Sequence, residues 1–353
     1  MPLADTDIAD LVTGTLQELG RMKFNQIATD LQNYEVMGRI MKKQKVQFDS
    51  GIGIRRTILV EKGSSARNVG LYETDQVDVE DGLQTISVDW RHTTCNWAYE
   101  RREMLMNKGP EKIVDLIKVR RAMSMIDLAD HMETSWWSAP TSSSDKTEIW
   151  GIPYWIVQSD SEGFNGGNNS VYTDGPGGLS ASTYSGWKNY TAEYASVSKD
   201  DLIRKMRKAV RQTNFKSPVD IPDYRKGRGQ QFRIYVTDTT IGLLEELGEA
   251  QNENLGRDLA SMDGSITFRR NPIVWVPYLD TAVSPSDGST VNDPIYMINY
   301  AWFCPVFLRG DYLRESSPRP APNQHNVFHV HVDLTWNVLC TCRREQAVLT
   351  TGA

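Results

Sequence analysis

The chain has 353 residues, 39% of them hydrophobic and 24% charged, with a formal net charge of −6. That composition supports two or three packed domains at ~100–200 residues each, and it excludes a general nucleic-acid binder, which carries a clustered basic excess. No apolar run approaches the ~18 residues of a membrane span, the first residues show no basic stretch followed by an apolar one, and the four cysteines (Cys95, Cys304, Cys340 and Cys342) are too few for a disulfide framework, so folding in a cytoplasm with reduced thiols is expected.

Ile8, Leu11, Val12, Leu16 and Leu19 recur at helical spacing ahead of Gly20, and Phe24, Ile27 and Leu31 repeat the pattern. This predicts a two-piece helical arm over residues 6–41. Residues 46–99 read as a long two-stranded arm with strands at 55–61 and 84–90, joined by a polar stretch containing Gly63, Ser64, Ser65, Asn68, Gly70 and Asp75. A two-stranded arm is marginal alone in water, so it is expected to lie on another part of the protein or on another subunit. Pro110 then suits the first turn of a helix, where its missing N–H is not needed. Ile113, Leu116, Ile117, Met123, Ile126 and Ala129 form one apolar stripe, widened by Met125, Leu128 and Met132. The pattern reaches Trp137, ahead of Pro140, which makes roughly 40 Å of helix at ~1.5 Å per residue.

Residues 159–197 are rich in Gly, Ser, Asn and Tyr and predict a loop-dominated surface excursion. Helices and strands alternate after it. Ser198 and Asp201 resemble a capping box before a helix with Leu202, Met206 and Val210. Phe232–Val236 reads as a strand, and Asp238 caps a helix carrying Ile241, Leu244 and Leu247. Residues 266–276 and 295–308 are further strands. In the last strand region Val327, His329, His331 and Asp333 share one face while Phe328, Val330, Val332 and Leu334 share the other; residues 338–349 extend the sheet.

Catalytic motifs are absent: there is no Gly-x-Ser-x-Gly elbow, His-Glu-x-x-His helix or Walker loop, and Gly51-Ile52-Gly53 is followed by Arg56 where a glycine fingerprint needs Gly. The one metal-like set is His325, His329 and His331 with Cys340 and Cys342. His-x-His and Cys-x-Cys each put two ligands on one strand face, and zinc would accept them if the two runs paired. The spacing matches no closed zinc pattern, so structural histidines and thiols are expected, and no catalytic, cofactor or metal site is assigned. Arg204, Lys205, Arg207, Lys208 and Arg211 crowd one helix as a solvated face, and Arg225, Lys226 and Arg228 sit in a Gly-containing turn. Arg55 and Arg56, on the extended arm, are the candidate inter-subunit contacts. Trp90, Trp97, Trp275, Trp302 and Trp336 fall inside apolar patterns, which favours core packing or subunit contact over sugar platforms.

The order of these parts resembles the Hong Kong 97-type major capsid proteins of tailed bacteriophages. The most telling stretch is Phe232-Arg233-Ile234-Tyr235-Val236, a helix, then Ile266-Thr267-Phe268-Arg269-Arg270-Asn271-Pro272-Ile273-Val274. It is similar to the family's axial-domain strand, helix and strand, with Asn271 where Gly is usual. The resemblance implies an α+β fold with an N-terminal arm (1–45), an E-loop hairpin (46–98) and a peripheral P-domain with its spine helix (99–150). An axial A-domain (151–308), with a surface-loop insertion around 159–197, and returning P-domain strands (309–353) complete it. It also implies a non-enzymatic subunit of an icosahedral or prolate shell built of pentamers and hexamers, without cofactor or membrane. Its implied partners are a scaffolding protein, a portal, decoration proteins, and double-stranded DNA enclosed without sequence-specific binding. The subunit would be made in the host bacterial cytoplasm and reside in the virion capsid. No long charged N-terminal extension serves as a built-in scaffold, so a separate scaffolding protein or a mature chain is expected. An encapsulin-like compartment is the nearest alternative; a metal-dependent enzyme or a tail-associated carbohydrate-binding protein leaves the long arm and long helix unexplained.

Overall fold

In a computed structural model, the described residues are 35–36, 47–61, 66, 68–71, 82–106, 110–213, 232–252, 266–269, 271–280 and 293–351. The helical arm expected over 6–41 lies outside them except for Glu35 and Val36, and so do Arg225, Lys226 and Arg228. The described chain begins with β1 (Gln47–Asp49), β2 (Gly53–Leu59), β3 (Leu83–Asp89), β4 (Arg91–Glu100), α1 (Arg101–Met106), the long helix α2 (Pro110–Trp137) and the single turn α3 (Ile152–Trp155). It continues through β5 (Gly163–Gly166), β6 (Asn189–Tyr194), α4 (Leu202–Thr213), β7 (Phe232–Val236), α5 (Asp238–Asn252), β8 (Thr267–Phe268), β9 (Asn271–Trp275) and α6 (Pro277–Asp280). It ends with β10 (Ile295–Asn299), β11 (Phe303–Leu308), β12 (Arg314–Glu315), β13 (Arg319–Ala321), β14 (Gln324–Cys340) and β15 (Ala347–Thr351).

The six-stranded sheet is organised on β14. One edge of β14 pairs antiparallel with β4, from Val327↔Glu100 to Trp336↔Arg91. Its other edge takes β13, β12 and β11 in turn, and β1 adds parallel to β11. The alternation expected of β14 decides what each face meets. Val332, Leu334 and Trp336 are fully buried with Leu128, Met132 and Trp136 of α2, whereas His329, His331 and Asp333 lie on the opposite, partly exposed face. Trp136 stacks on Trp336 at 6.3 Å and meets Phe303 edge-on at 5.6 Å. Burial of each large apolar side chain is worth about 1.5–3 kcal/mol, so this seam holds α2 across the sheet. The helix has the bounds that its apolar stripe and Pro110 predict.

The seven-stranded sheet runs β5-β6-β15-β10-β7-β9-β8. Its central strands are covered on both sides, which is why they read as continuous apolar runs. Ile295 and Met297 of β10, Ala347 and Leu349 of β15, and Ile234 and Val236 of β7 meet α4 and α5. Tyr296, Ile298, Val348 and Tyr235 point the other way, into the core shared with α2. At the start of α4 the Asp201 N–H donates to Ser198 Oγ (3.2 Å) as in a capping box. The Asp201 carboxylate accepts from the N–H groups of Ala195 (2.7 Å) and Ser196 (3.0 Å), so it ties down the preceding chain instead of Ser198 itself.

Three expected assignments change. Residues 91–98 do not belong to the extended arm: they are the first eight of β4's ten residues, paired along β14. Residues 159–197 are not a surface insertion, since they contain β5 and β6 of the seven-stranded sheet, and Ala181, Trp187 and Tyr190 are buried. The expected division at residue 308 also fails: β11 joins the six-stranded sheet, while β15, at the chain's end, sits between β6 and β10 in the other. Gly/Ser/Asn-rich composition and strand propensity mark turns and strands, but the partner of each strand is set by non-local pairing.

Glu35 and Val36 are pinned where α2 meets β7. The Val36 N–H donates to Glu133 Oε2 (2.8 Å), and the Glu35 carboxylate accepts from Arg233 (3.1 Å) and from the Tyr235 hydroxyl (3.0 Å). Trp137 Nε1 donates to Glu133 Oε1 (3.0 Å). Burial pushes the Glu133 carboxyl up from 4.5 to about 7; the bonds from Trp137 and Val36 offset this only in part, and the Glu35 charge adds to it. The unfolded chain therefore releases this proton near pH 4.5 and the folded chain near pH 7, so between them the folded state holds more protons and its stability falls as pH rises. The loss is on the order of 3 kcal/mol. Denaturant titrations from pH 4.5 to 8 should show this decline in the wild type and a much flatter one in Glu133→Gln. Equal slopes in both proteins would contradict it.

Candidate functional site

The most distinctive surface is the hairpin β2–β3. Its register pairs Ile54 with Val88, Arg56 with Ile86 and Ile58 with Gln84 on one face, and Arg55 with Ser87, Thr57 with Thr85 and Leu59 with Leu83 on the other. The first face is packed: Ile54, Ile86 and Val88 are fully buried in the chain's own core. The second face is exposed along both strands. At its distal end the cross-strand neighbours Leu59 and Leu83 are 53% and 58% exposed.

The packed face rests on a platform built by residues 150–187. Gly177 lies so close beneath the hairpin that a Cβ there would stand 2.6 Å from Ile86 Cγ2, and its φ of +72° is one that glycine adopts without strain. Its N–H donates to the Tyr154 hydroxyl (3.0 Å), and Trp187 Nε1 donates to the Pro176 carbonyl (3.0 Å). Beneath the turn Tyr154 stacks on Trp150 at 4.5 Å and meets Trp155 and Tyr172 edge-on. The root is fixed separately: Asn337 Nδ2 donates to the Asp89 carbonyl (2.7 Å) and Trp90 Nε1 to the Gly51 carbonyl (2.9 Å). The arm expected to lie on another part of the protein or on another subunit thus has one face packed on its own chain and one face open.

This separates the two candidate arginines. Neighbours on a strand point to opposite faces, so Arg55 and Arg56 do not address one surface together. Arg55 is on the open face, whereas Arg56 is partly buried on the packed side and ion-pairs with Asp49 of β1 at 2.9 Å. The His/Cys set is also divided. His329 and His331 have ring centroids 4.9 Å apart, but Cys340 lies on the same strand, nine residues (340 − 331) beyond His331. That is roughly 30 Å at ~3.3 Å per residue, so the two runs do not pair. Among the described residues no three His, Cys, Asp or Glu side chains come together as a metal site.

The residue missed in the sequence is Arg343, fully buried at the crossover from β14 to β15. Its guanidinium donates to the carbonyls of Trp155 (2.7 Å), Trp187 (2.6 Å) and Gly167 (2.9 Å) and to Asn189 Oδ1 (3.0 Å), which binds the platform to both sheets. An arginine between Cys342 and Arg344 carries no pattern that would single it out.

No known family model matches the sequence, and no curated protein does. Solved structures do. A cyanophage A-1(L) capsid subunit is 13% identical with a TM-score of 0.60, covering 96% of this chain and 98% of that one. The capsid of an empty GTA particle gives 10% identity and a TM-score of 0.56, over 94% of this chain and 95% of that one. The capsid of Myoviridae phage XM1 gives 10% and 0.55, over 95% and 97%. The fold of this chain is therefore the α+β Hong Kong 97-type fold of these capsid proteins.

Proposed function

We propose that this chain is the major capsid protein of a tailed bacteriophage, a structural and non-enzymatic subunit that assembles into pentamers and hexamers of a closed shell. The observation that supports this best is end-to-end similarity to a capsid subunit, over 96% of this chain and 98% of the other. The open hairpin face adds a physical reason. A contact between two different surfaces of one protein closes into rings when the rotation allows, and an arm laid on a neighbour spreads the interface beyond a single patch, so that several weak contacts act together. With a net charge of −6, such a shell would hold double-stranded DNA by enclosure rather than by neutralising phosphates. A scaffolding protein, a portal and decoration proteins are its expected partners, the virion capsid its destination, and the host bacterial cytoplasm its place of synthesis.

Electron microscopy of the chain co-expressed with a candidate scaffolding protein should show closed shells. A chain that stays monomeric under those conditions would overturn the proposal. Shells that fill with an enzyme cargo and never take up DNA through a portal would indicate an encapsulin-like compartment instead.

A further inference from the structure

The seven-stranded sheet carries two helices on the same face, and their outer sides are oppositely charged. Helix α4 packs on β6 and β15, and α5 packs on β9. Three to four strand positions separate them in the sheet order, so at ~4.8 Å per strand the two helices stand roughly 15–20 Å apart, toward opposite ends of the sheet. The inner side of α4, with Leu202, Met206, Ala209 and Val210, is buried, while Arg204, Arg207, Lys208 and Arg211 are exposed. Arg204 is neutralised by Asp200 (3.1 Å) and Lys208 by Glu162 (2.9 Å). Arg207 and Arg211 have no ion pair among the described residues, and as like charges at i,i+4 they repel each other. On α5, Glu245 and Glu246 are exposed without an ion pair among the described residues. Each helix therefore presents an uncompensated charge that the other would neutralise, but within one chain the sheet holds them apart.

We propose that α4 of one copy docks against α5 of a second copy of this chain, with Arg207 and Arg211 facing Glu245 and Glu246. The inference rests on the shell-subunit reading and names a surface by which neighbours in a ring recognise each other. Because α4 and α5 are different surfaces, the contact is head-to-tail and repeats around a ring. Opposed charges at its rim would guide encounter and set the register, and screening would weaken both as salt rises.

The test is a charge exchange in the full chain, co-expressed with its scaffolding protein. Arg207→Glu with Arg211→Glu should lower shell yield on the order of tenfold, because it sets like charges across the contact. Glu245→Lys with Glu246→Lys should do the same. All four changes together should restore assembly, since the pairing is then reversed but complete. The altered residues are exposed, so circular dichroism and urea midpoints should match the wild type; the milder Arg207→Gln with Arg211→Gln should give an intermediate yield. Normal shell yield from either reversed pair, or failure of the folded four-fold variant to recover, would overturn this contact and leave the shell reading standing. A wild-type chain that never assembles would overturn both.

Discussion

Replacing Arg343 with methionine is expected to lower the stability of the subunit by ~3–5 kcal/mol, because several buried acceptors lose their donor at about 1–3 kcal/mol each. That approaches the whole stability of an ordinary domain, about 5–15 kcal/mol. Arg343 is fully buried, and its acceptors are carbonyls of Trp155, Trp187, Gly166 and Gly167 and the side-chain oxygen of Asn189. None of them is a carboxylate. Burial pulls the guanidinium down to about 10, still well above neutral pH, so the group stays charged and is held by these hydrogen bonds and by the face of the Trp187 ring, 5.7 Å away. Methionine would fill much of the space but leave several buried acceptors without a donor, at about 1–3 kcal/mol for each such group. Lysine should rescue little, because a compact ammonium with three donors cannot reproduce the planar fork that reaches three segments at once. Urea unfolding of the soluble subunit reads the effect as a lowered midpoint at unchanged slope. A methionine variant within about 1 kcal/mol of the wild type would show that the cluster is dispensable.

The second large effect is expected in assembly. Leu59→Asp with Leu83→Asp places two carboxylates at the exposed end of the hairpin's open face, where the two leucines now sit directly opposite each other. Among the described residues, that face contributes no side chain to the buried core. Two like charges directly opposite each other cost the hairpin on the order of 1 kcal/mol, so the subunit should stay folded, while shell yield collapses, because two carboxylates would be desolvated in the proposed contact. Arg55→Glu, on the same face, should act in the same direction more weakly. Ile86→Asp supplies the contrast: that side chain is fully buried over Gly177, so an unpaired charge there should destabilise the subunit itself. Arg56→Glu would set a like charge beside Asp49, with which Arg56 now pairs at 2.9 Å. Velocity sedimentation separates loss of shells from loss of folded subunit. Normal shells from the double leucine variant would count against the open face as an assembly surface.

The features legible in the sequence are those written in local periodicity. The bounds of α2 follow from Pro110, a stripe at helical spacing and the run to Trp137. The two faces of β14 follow from strict alternation between Val327 and Leu334, and the unit β7–α5 from a short apolar strand followed by a helical stripe, although the cap position is Thr237, whose carbonyl accepts the first helical bond, and Asp238 is the first helical residue. Each records how a segment is buried. None records what it is buried against, and that is what tertiary structure decided. Gly175-Pro176-Gly177-Gly178 announces a turn, but only the close approach of Ile86 makes it a platform. Arg55 and Arg56 look like one basic pair until strand pairing turns them to opposite faces. The runs containing His331 and Cys340 look able to converge until they prove to be one continuous strand. Arg343 is one arginine among many until a crossover buries it among carbonyls from three distant segments. Periodicity is a property of neighbours in the chain, whereas pairing, close approach and desolvation are set by distant residues such as Asn337 and Asp89, 248 positions apart.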